Sequence, residues 1–361
     1  MFKKALFPGM YIQGPGALGE LAAVMEALGG QGLILASPTS RKKILPAIGL
    51  EGSSSFTMET FGGECSEAEL ARVSEIIKKE RVKVVAAVGG GKTIDTAKIA
   101  ADRADIPVVV APTIASTDAP CSGCAVIYSQ DNMFESVYYQ KMNPAAVIVD
   151  ESVIVQAPVR FLVSGMGDAL ATWFEADSCR RTQSANACGG LSTTLGLHVA
   201  RLCYDILMEY GAAARIACEN QVVTRAFSRI VEANTLLSGI GFESGGLGAA
   251  HSIHNGLTAL EEPRAFYHGE KVAFGVLAGL QLSDARPALM DEVYGFCETV
   301  GLPTTLADLG IVKQDRTGLM PVAEKACAPE ECIHNEAGLI TSEKVLDAII
   351  AADAMGRARK A

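Results

Sequence analysis

Short, continuously apolar segments alternate with segments of helical periodicity along the first part of the chain. The apolar segments that predict buried strands are GLILAS (32–37), VKVVAAVGGG (82–91), IPVVVAPT (106–113) and AAVIVDESV (145–153). Between them, apolar residues recur every three or four positions over 66–80 and 93–104, which predicts helices. This alternation is typical of βαβ units. It predicts a parallel sheet that binds ligands at the carboxyl ends of its strands.

The second half of the chain has long helix-periodic segments, rich in Ala and Leu, and no predicted strand. These segments are 159–181, 192–217 and 227–242. The sequence therefore predicts an α/β protein with an N-terminal Rossmann-like parallel-sheet domain (1–155) followed by an all-helical C-terminal domain (156–361). A chain of 361 residues is long enough to form both cores.

Composition and charge exclude several classes of protein. Hydrophobic residues make up 49% of the chain and charged residues 20%, and the net charge is −10. Scattered Lys and Arg residues in an acidic chain argue against a nucleic-acid partner, and no apolar run reaches the ~18 residues of a membrane span. The N-terminal MFKKALFPGMYIQG is interrupted by Pro8 and Gly9 before a signal-peptide core develops.

The ten cysteines favour a reducing compartment, so we expect a cytoplasmic protein. Cys121 and Cys124 form a CxxC pair without a matching second pair. We interpret them as loop or core thiols, and a zinc or redox role is the alternative.

Three glycines, Gly89 to Gly91, follow an apolar run and precede Lys92 and Thr93. Two hypotheses fit a phosphate-binding turn of this kind. In a P-loop, Ala86 would replace the first glycine, but a strand that continues through Val88 leaves too little chain for a wide loop. The pyrophosphate of a dinucleotide at the start of the following helix is favoured, and an NTPase is a distant alternative.

Three of the five histidines, His251, His254 and His268, lie within 18 residues of one another. Upstream, Asp168 is expected at the start of a long apolar helix. One carboxylate and two imidazoles bind Zn²⁺ with a net charge of +1 and an open position, which lowers the pKa of a nearby substrate hydroxyl. From spacing alone, a helix cap at Asp168 and histidines buried in the core remain alternatives.

Several longer segments carry a resemblance to a known family. They are GGECSEAEL, VGGGKTIDTAK, APTIASTDAPCS, GMGDALATWFEA, EANTLLSGIGFESGGLGAAHSIHNGLT and FYHGEKVAFG. Over almost its whole length the sequence resembles the glycerol dehydrogenases, the zinc-dependent branch of the iron-containing alcohol dehydrogenase superfamily. The resemblance implies a dehydroquinate synthase-like architecture and a homo-oligomer, with an octamer expected.

The resemblance also implies an activity. It is the Zn²⁺-dependent oxidation of glycerol, or another vicinal diol, to the hydroxyketone, with hydride transfer to NAD(P). A dehydrogenase of a phosphorylated polyol in the same superfamily is the alternative.

Asp168, His251 and His268 match the family's zinc ligands and are expected to contact the substrate. Iron-dependent members of the superfamily have a further histidine four residues after the aspartate. Thr172 occupies that position here. Because the hydroxyl of Thr172 cannot replace an imidazole ligand, one Zn²⁺ per chain is expected.

Other residues take their expected roles from the same resemblance. Asp118 matches a residue that contacts the substrate hydroxyls, Phe242 is expected to line the pocket, and His254 is expected in the pocket or on a proton path. The expected cofactor contacts are Gly90, Gly91, Lys92, Asp95, Thr113, Ser116, Ser122, Cys124 and Tyr128.

Two positions depart from the family pattern. Ser37 stands at the end of the second strand, where NAD-selective folds usually place an acid that binds the ribose 2′-OH. NAD is favoured, and NADP is possible. Arg264 precedes the last ligand. We interpret it as a solvated loop charge, although an arginine there would also suit an acidic or phosphorylated substrate. His334 recurs in the family without a physical role that the sequence explains.

Overall fold

The computed structural model describes residues 1–50, 55–130, 133–312 and 315–361. These residues divide into two compact units. The sheet unit comprises Leu6–Pro158 and Gln221–Val223, and the helical unit comprises Met1–Ala5, Val159–Asn220 and Thr224–Ala361. In the described part of the chain, no helix combines the length and the apolar character that a bilayer crossing needs.

The sheet unit contains a parallel sheet and a separate antiparallel pair. Its strands are β1 (Tyr11–Gly14), β2 (Gly32–Ala36), β3 (Phe56–Thr60), β4 (Val84–Gly89), β5 (Val108–Pro112), β6 (Cys124–Tyr128), β7 (Phe134–Tyr139) and β8 (Ala146–Asp150). Six of them form the parallel sheet, in the order β1-β8-β5-β4-β2-β3, and β6 pairs with β7. The predicted parallel-sheet fold is thereby confirmed.

The four strands predicted from continuous apolar runs are β2, β4, β5 and β8. Each is buried along its whole length, because both faces of a central parallel strand are covered. The other four were not predicted. The edge strands β1 and β3 are partly exposed and contain polar residues, and β7 is mostly exposed.

Helices connect the strands of this unit. They are α1 (Leu21–Ala27), α2 (Pro38–Lys43), α3 (Glu67–Lys79), α4 (Gly91–Arg103) and α5 (Glu151–Ile154). The predicted strand over 145–153 was too long at its end. The side chain of Asp150 accepts a hydrogen bond from the backbone N–H of Ser152 at 3.0 Å, and this cap starts α5.

The helical unit contains the remaining α-helices of the described residues. They are α6 (Val159–Thr182), α7 (Thr194–Glu219), α8 (Arg225–Glu232), α9 (Ser238–Gly245), α10 (Ala249–Leu257), α11 (His268–Leu282), α12 (Pro287–Val300), α13 (Arg316–Ala326) and α14 (Ser342–Lys360). Helix α6 packs against α7, α9 and α11, and α10 packs against α11 and α13. These contacts bring α6, α10 and α11 together.

The predicted helix over 227–242 is interrupted. A π-helical turn, Ala233–Leu237, separates α8 from α9. The Asn234 amide donates to the backbone oxygen of Leu162 at 3.0 Å, and the Thr235 hydroxyl donates to that of Val231 at 2.6 Å. Such bonds accompany a local change in helical pitch that hydrophobic periodicity does not report.

Candidate functional site

The glycine turn of the sheet unit is short. β4 ends at Gly89 and α4 begins at Gly91, so only Gly90 lies between them. A Cβ at Gly89 would lie 2.8 Å from Oγ1 of Thr93, whereas a Cβ at Gly91 would meet no heavy atom within 4 Å. The turn therefore has no room for a P-loop. It leaves open space at the N-terminus of a 13-residue helix, where backbone N–H groups attract an anion.

Lys92, in the first turn of α4, has a carboxylate partner that the sequence did not reveal. Its Nζ lies 2.5 Å from Oε2 of Glu64 and 5.0 Å from the centroid of the Tyr128 ring. The Lys92 side chain is 39% exposed, so this ion pair contributes little to stability.

Asp95 and Lys98 hold the segment around β6 against α4. The Asp95 carboxylate accepts a hydrogen bond from the backbone of Val126 at 3.2 Å, and burial raises the pKa of Asp95 to about 6. The fully buried Lys98 donates to the backbone oxygens of Ala119 at 2.9 Å and Cys124 at 2.5 Å. Asp95, predicted to contact the cofactor, thus binds the backbone of β6.

The remaining predicted residues of the sheet unit follow β5 or lie on β6. Thr113 donates its backbone N–H to Gly89 at 3.0 Å, which joins the end of β5 to the glycine turn. Asp118 is buried and directly precedes a 3₁₀ turn, Ala119–Cys121. Six of the predicted cofactor and substrate contacts lie between residues 113 and 128: Thr113, Ser116, Asp118, Ser122, Cys124 and Tyr128. The structure places them on one connected segment.

Ser37 lies at the end of β2 and is the N-cap of α2. Its Oγ accepts the backbone N–H of Ser40 at 3.2 Å and lies 2.7 Å from Oγ of Ser40. The serine hydroxyl therefore has a local structural role in capping this helix.

In the helical unit, Asp168, His251 and His268 come together from α6, α10 and α11. Nε2 of His268 lies 3.0 Å from Oδ1 of Asp168, and Nε2 of His251 lies 3.5 Å from the same oxygen. One donor atom from each residue falls within 4.8 Å of the others. Ligands about 2.0–2.1 Å from a tetrahedral Zn²⁺ lie ~3.3 Å apart, so the donor set fits such an ion.

Asp168 was predicted at the start of a helix, and this was wrong. Helix α6 begins at Val159, so Asp168 lies in its middle and is not a cap. The close approach of α6 and α11 brings it to His268. A Cβ at Gly269 would lie 1.8 Å from the backbone oxygen of Ser164, and one at Gly167 would lie 2.3 Å from that of Gly269. Glycine is therefore required beside both residues.

Glu175 lies on α6, two turns after Asp168, and sequence reasoning missed it. It is buried, and its carboxylate accepts from the backbone N–H of His251 at 2.9 Å and from Nδ1 of His251 at 2.7 Å. Because Nδ1 carries the proton in that bond, the lone pair of Nε2 is left for a metal. Its position seven residues after Asp168, on the same helix face, was the available signal.

Charge pairing changes the pKa values in this cluster. Burial alone would lower the pKa of His251, but Glu175 and Asp168 hold it well above its usual value. Burial alone would raise the pKa of Asp168, but His268 and His251 hold it well below its usual range. Burial, together with His268 and Lys271, holds the pKa of His254 well below its usual value. His254 is therefore neutral, as a hydrogen-bond acceptor must be.

His254 uses both ring nitrogens inside the helical unit. Its Nε2 lies 3.1 Å from Nδ1 of His268, and its Nδ1 lies 3.0 Å from Oδ1 of Asn255. The two rings meet edge to face, with centroids 4.3 Å apart. His254 therefore contacts a proposed metal ligand directly.

Two further predicted or compared positions are Thr172, on α6 itself, and Phe242, on α9, which packs against α6. Phe242 is buried on α9, one turn after Ser238. The Thr172 hydroxyl is buried and lies 2.9 Å from Oγ of Ser238, in the position where iron-dependent relatives are expected to have a histidine. In this chain that position joins α6 to α9.

The remaining candidates lie outside the cluster. Arg264 is exposed, and its Nη1 lies 3.2 Å from a carboxylate oxygen of the exposed Glu261. Nε2 of the exposed His334 lies 3.1 Å from the backbone oxygen of Ala328. All ten cysteines, including Cys121 and Cys124, are free thiols.

Comparison with known proteins identifies the family. Residues 8–151 match the family model described as iron-containing alcohol dehydrogenase. A glycerol dehydrogenase of Thermotoga maritima is 49% identical over 100% of this chain and 99% of its own, and a glycolaldehyde reductase of Halobacterium salinarum is 43% identical over 97% of each. The crystal structure of a probable glycerol dehydrogenase from Sinorhizobium meliloti 1021 is similar with a TM-score of 0.93, at 44% identity and 99% coverage of both chains. The chain therefore belongs to the iron-containing alcohol dehydrogenases, among the glycerol dehydrogenases.

Proposed function

We propose that this protein oxidises glycerol, or another vicinal diol, to the hydroxyketone, with a nicotinamide dinucleotide as hydride acceptor. The observation that carries the proposal is the cluster of Asp168, His251 and His268, in a chain that is 49% identical to a glycerol dehydrogenase. These three residues would hold Zn²⁺. When bound, the metal would supply Lewis-acid polarisation that lowers the pKa of the reacting hydroxyl.

Residues of the protein would orient a metal ligand, bind the cofactor and bind the substrate. Glu175 holds the Nδ1 proton of His251, so that Nε2 faces Asp168. In the sheet unit, the open space beside Gly91 would receive the pyrophosphate at the start of α4. The buried carboxylate of Asp118 would accept hydrogen bonds from substrate hydroxyls.

We favour Zn²⁺ over iron because iron-dependent relatives are expected to have a fourth ligand, a histidine, four residues after the aspartate. In this chain Thr172 occupies that position, and its hydroxyl lies against Ser238. NAD is proposed as the main acceptor because the family resemblance favours it. NADP is the second possible acceptor, because Ser37 brings no carboxylate that would repel a 2′-phosphate. The ten free thiols support a cytoplasmic location, and the family resemblance supports a homo-oligomer, an octamer.

A phosphorylated polyol is the alternative substrate, and it would need cationic groups at the site. Arg264, the residue that raised this possibility, is exposed and beside Glu261. A relative that is a glycolaldehyde reductase is compatible with the main proposal. Reduction of glycolaldehyde yields ethylene glycol, which is itself a vicinal diol.

The experiment is to strip the protein with a chelator, reload it with Zn²⁺ or Fe²⁺, and follow reduction of NAD and NADP with glycerol and with glycerol 1-phosphate. We expect activity with glycerol that disappears on stripping and returns with Zn²⁺. If the reloaded protein is inactive with glycerol but oxidises glycerol 1-phosphate, the phosphorylated polyol becomes the substrate and the glycerol assignment is wrong.

A further inference from the structure

A chain of hydrogen bonds leads from His268 through His254 to Asn255 and Glu331, and the last two have no assigned role. Nδ1 of His268 lies 3.1 Å from Nε2 of His254, and Nδ1 of His254 lies 3.0 Å from Oδ1 of Asn255. The Nδ2 amide of Asn255 then donates to both carboxylate oxygens of Glu331, at 3.0 Å each. Three hydrogen-bonded steps, His268 to His254, His254 to Asn255 and Asn255 to Glu331, thus connect a proposed metal ligand to a carboxylate 63 residues further along the chain.

The direction of these bonds is fixed at the Glu331 end. An ionised carboxylate only accepts hydrogen bonds, so Asn255 must turn its NH₂ group toward Glu331 and its carbonyl oxygen toward His254. That oxygen also only accepts, so His254 must carry its proton on Nδ1. The lone pair of His254 then lies on Nε2 and faces His268.

The direction is the same when it is derived from the metal end. A neutral imidazole that binds a metal through Nε2 carries its proton on Nδ1. The Nδ1–H of His268 must therefore donate, and Nε2 of His254 is the acceptor in reach. Both ends demand one arrangement of protons, and a flipped Asn255 amide would force the wrong tautomer on both histidines.

We propose that Glu331 and Asn255 are positioning residues, which act through His254 to hold the His268 imidazole in the tautomer and orientation that metal binding requires. His254 is then the hydrogen-bond partner of a ligand, and the proton-path role predicted from the sequence is unnecessary. The proposal rests on the metal site of the proposed function. It gives each ligand histidine its own carboxylate, Glu175 directly for His251 and Glu331 at a distance for His268.

The segment that carries Glu331 also holds α10 in place through other hydrogen bonds. The test must therefore separate this effect on stability from the effect on the orientation of His268. Asn335 donates to the backbone oxygen of Leu247 at 2.9 Å, just before α10, and takes no part in the chain of bonds. Asn335→Ala is therefore the structural control. Glu331→Gln keeps the side-chain size but removes the fixed direction, because an amide can donate as well as accept.

The experiment measures Zn²⁺ affinity by chelator competition and the visible spectrum of the Co²⁺-loaded protein, for the wild type, Glu331→Gln, Asn255→Leu and the double variant. We expect each single variant to bind Zn²⁺ about 10- to 100-fold more weakly and to change the Co²⁺ spectrum. The double variant should be no more than about twofold weaker than Asn255→Leu alone, because one cut already breaks the chain. Asn335→Ala should lower thermal stability and leave the Co²⁺ spectrum unchanged.

Losses of affinity that multiply in the double variant, or equal losses in Glu331→Gln and Asn335→Ala, would overturn the proposal. Asn255→Leu provides an independent cut if Glu331→Gln does not fold. If the wild-type protein binds neither Zn²⁺ nor Co²⁺, the metal site of the proposed function is disproved instead. The two failures are therefore distinguishable.

Discussion

The carboxylate of Glu175 binds His251 twice, through its backbone N–H at 2.9 Å and through Nδ1 at 2.7 Å. One side chain thus caps the first turn of α10 and sets the tautomer of the histidine that this helix presents. Orientation of the proposed ligand is therefore part of the packing of α6 against α10.

Glu175→Gln is expected to weaken Zn²⁺ binding by about 10- to 100-fold, since an amide keeps at most one of the two acceptor oxygens. Chelator competition measures the affinity. Asp177→Asn is the control, because it makes the same exchange on α6 at a surface carboxylate paired with Arg180. Equal affinities in the two variants would contradict the role given to Glu175.

Metal affinity is expected to rise with pH. In the metal-free protein the pKa of His251 is held well above its usual value, chiefly by Glu175 against the effect of burial. Below that pKa a metal must displace a proton, so affinity should increase by up to about tenfold per pH unit, and it should level off above the pKa.

The raised pKa of His251 also makes the stability of the metal-free protein depend on pH. Its contribution to the stability of the metal-free protein is fully present below the unfolded value, about 6.5, and is lost as the pH rises through the folded pKa. Zn²⁺ affinity and metal-free thermal unfolding, measured from pH 6 to 9, test both trends. A Zn²⁺ affinity that does not change over this range would exclude a proton on His251.

Gly269→Ala is expected to lower the stability of the helical unit by ~3 kcal/mol, or about 6–12 °C in Tm. The added Cβ would lie 1.8 Å from the backbone oxygen of Ser164, so α11 must move away from α6 and take His268 with it. The unfolding temperature and the Zn²⁺ affinity should therefore both decrease.

Gly279→Ala, on the same helix, is the matched control. Its Cβ would make an ordinary contact of 3.4 Å with Ala249, and alanine is the better helix former. This variant should be neutral or slightly more stable. A Gly269→Ala protein that melts like Gly279→Ala would show that the close helix approach is unnecessary.

Ser37→Asp is expected to shift the ratio of kcat/KM for NAD over NADP at least ~10-fold toward NAD. A carboxylate at the end of β2 accepts a hydrogen bond from the ribose 2′-OH and repels a 2′-phosphate. The fold should tolerate the change, because Asp replaces Ser as an N-cap without loss. Thr341→Asp, at the N-cap of α14, makes a similar exchange in the helical unit and should leave the ratio unchanged. An unaltered ratio in Ser37→Asp would refute the specificity argument.

Sequence reasoning found what is local and strongly patterned. The central strands could be predicted because burial on both faces makes their sequences continuously apolar. The edge strands β1 and β3 are partly exposed and mix polar with apolar residues, so they show no continuous apolar run. Asp168, His251 and His268 were visible through residue type, spacing and resemblance.

The residues that orient the proposed ligands were harder to find. Glu175 shares a helix face with Asp168, so periodicity could have indicated it. Glu331 meets Asn255 only because α10 packs against the segment that follows α13, and this contact spans 76 residues. No local pattern reports such a pairing.

The three proposed ligands come from three helices, and Asp168 and His268 are 100 residues apart in the chain. Their donor atoms meet only when α6, α10 and α11 are docked, so the free energy of binding an ion is also free energy of folding. Free metal at 100 times its dissociation constant would add about 2.7 kcal/mol to the stability of the folded chain. Scarcity of metal would therefore lower the amount of intact protein in the cell as well as its turnover, and abundance would follow supply.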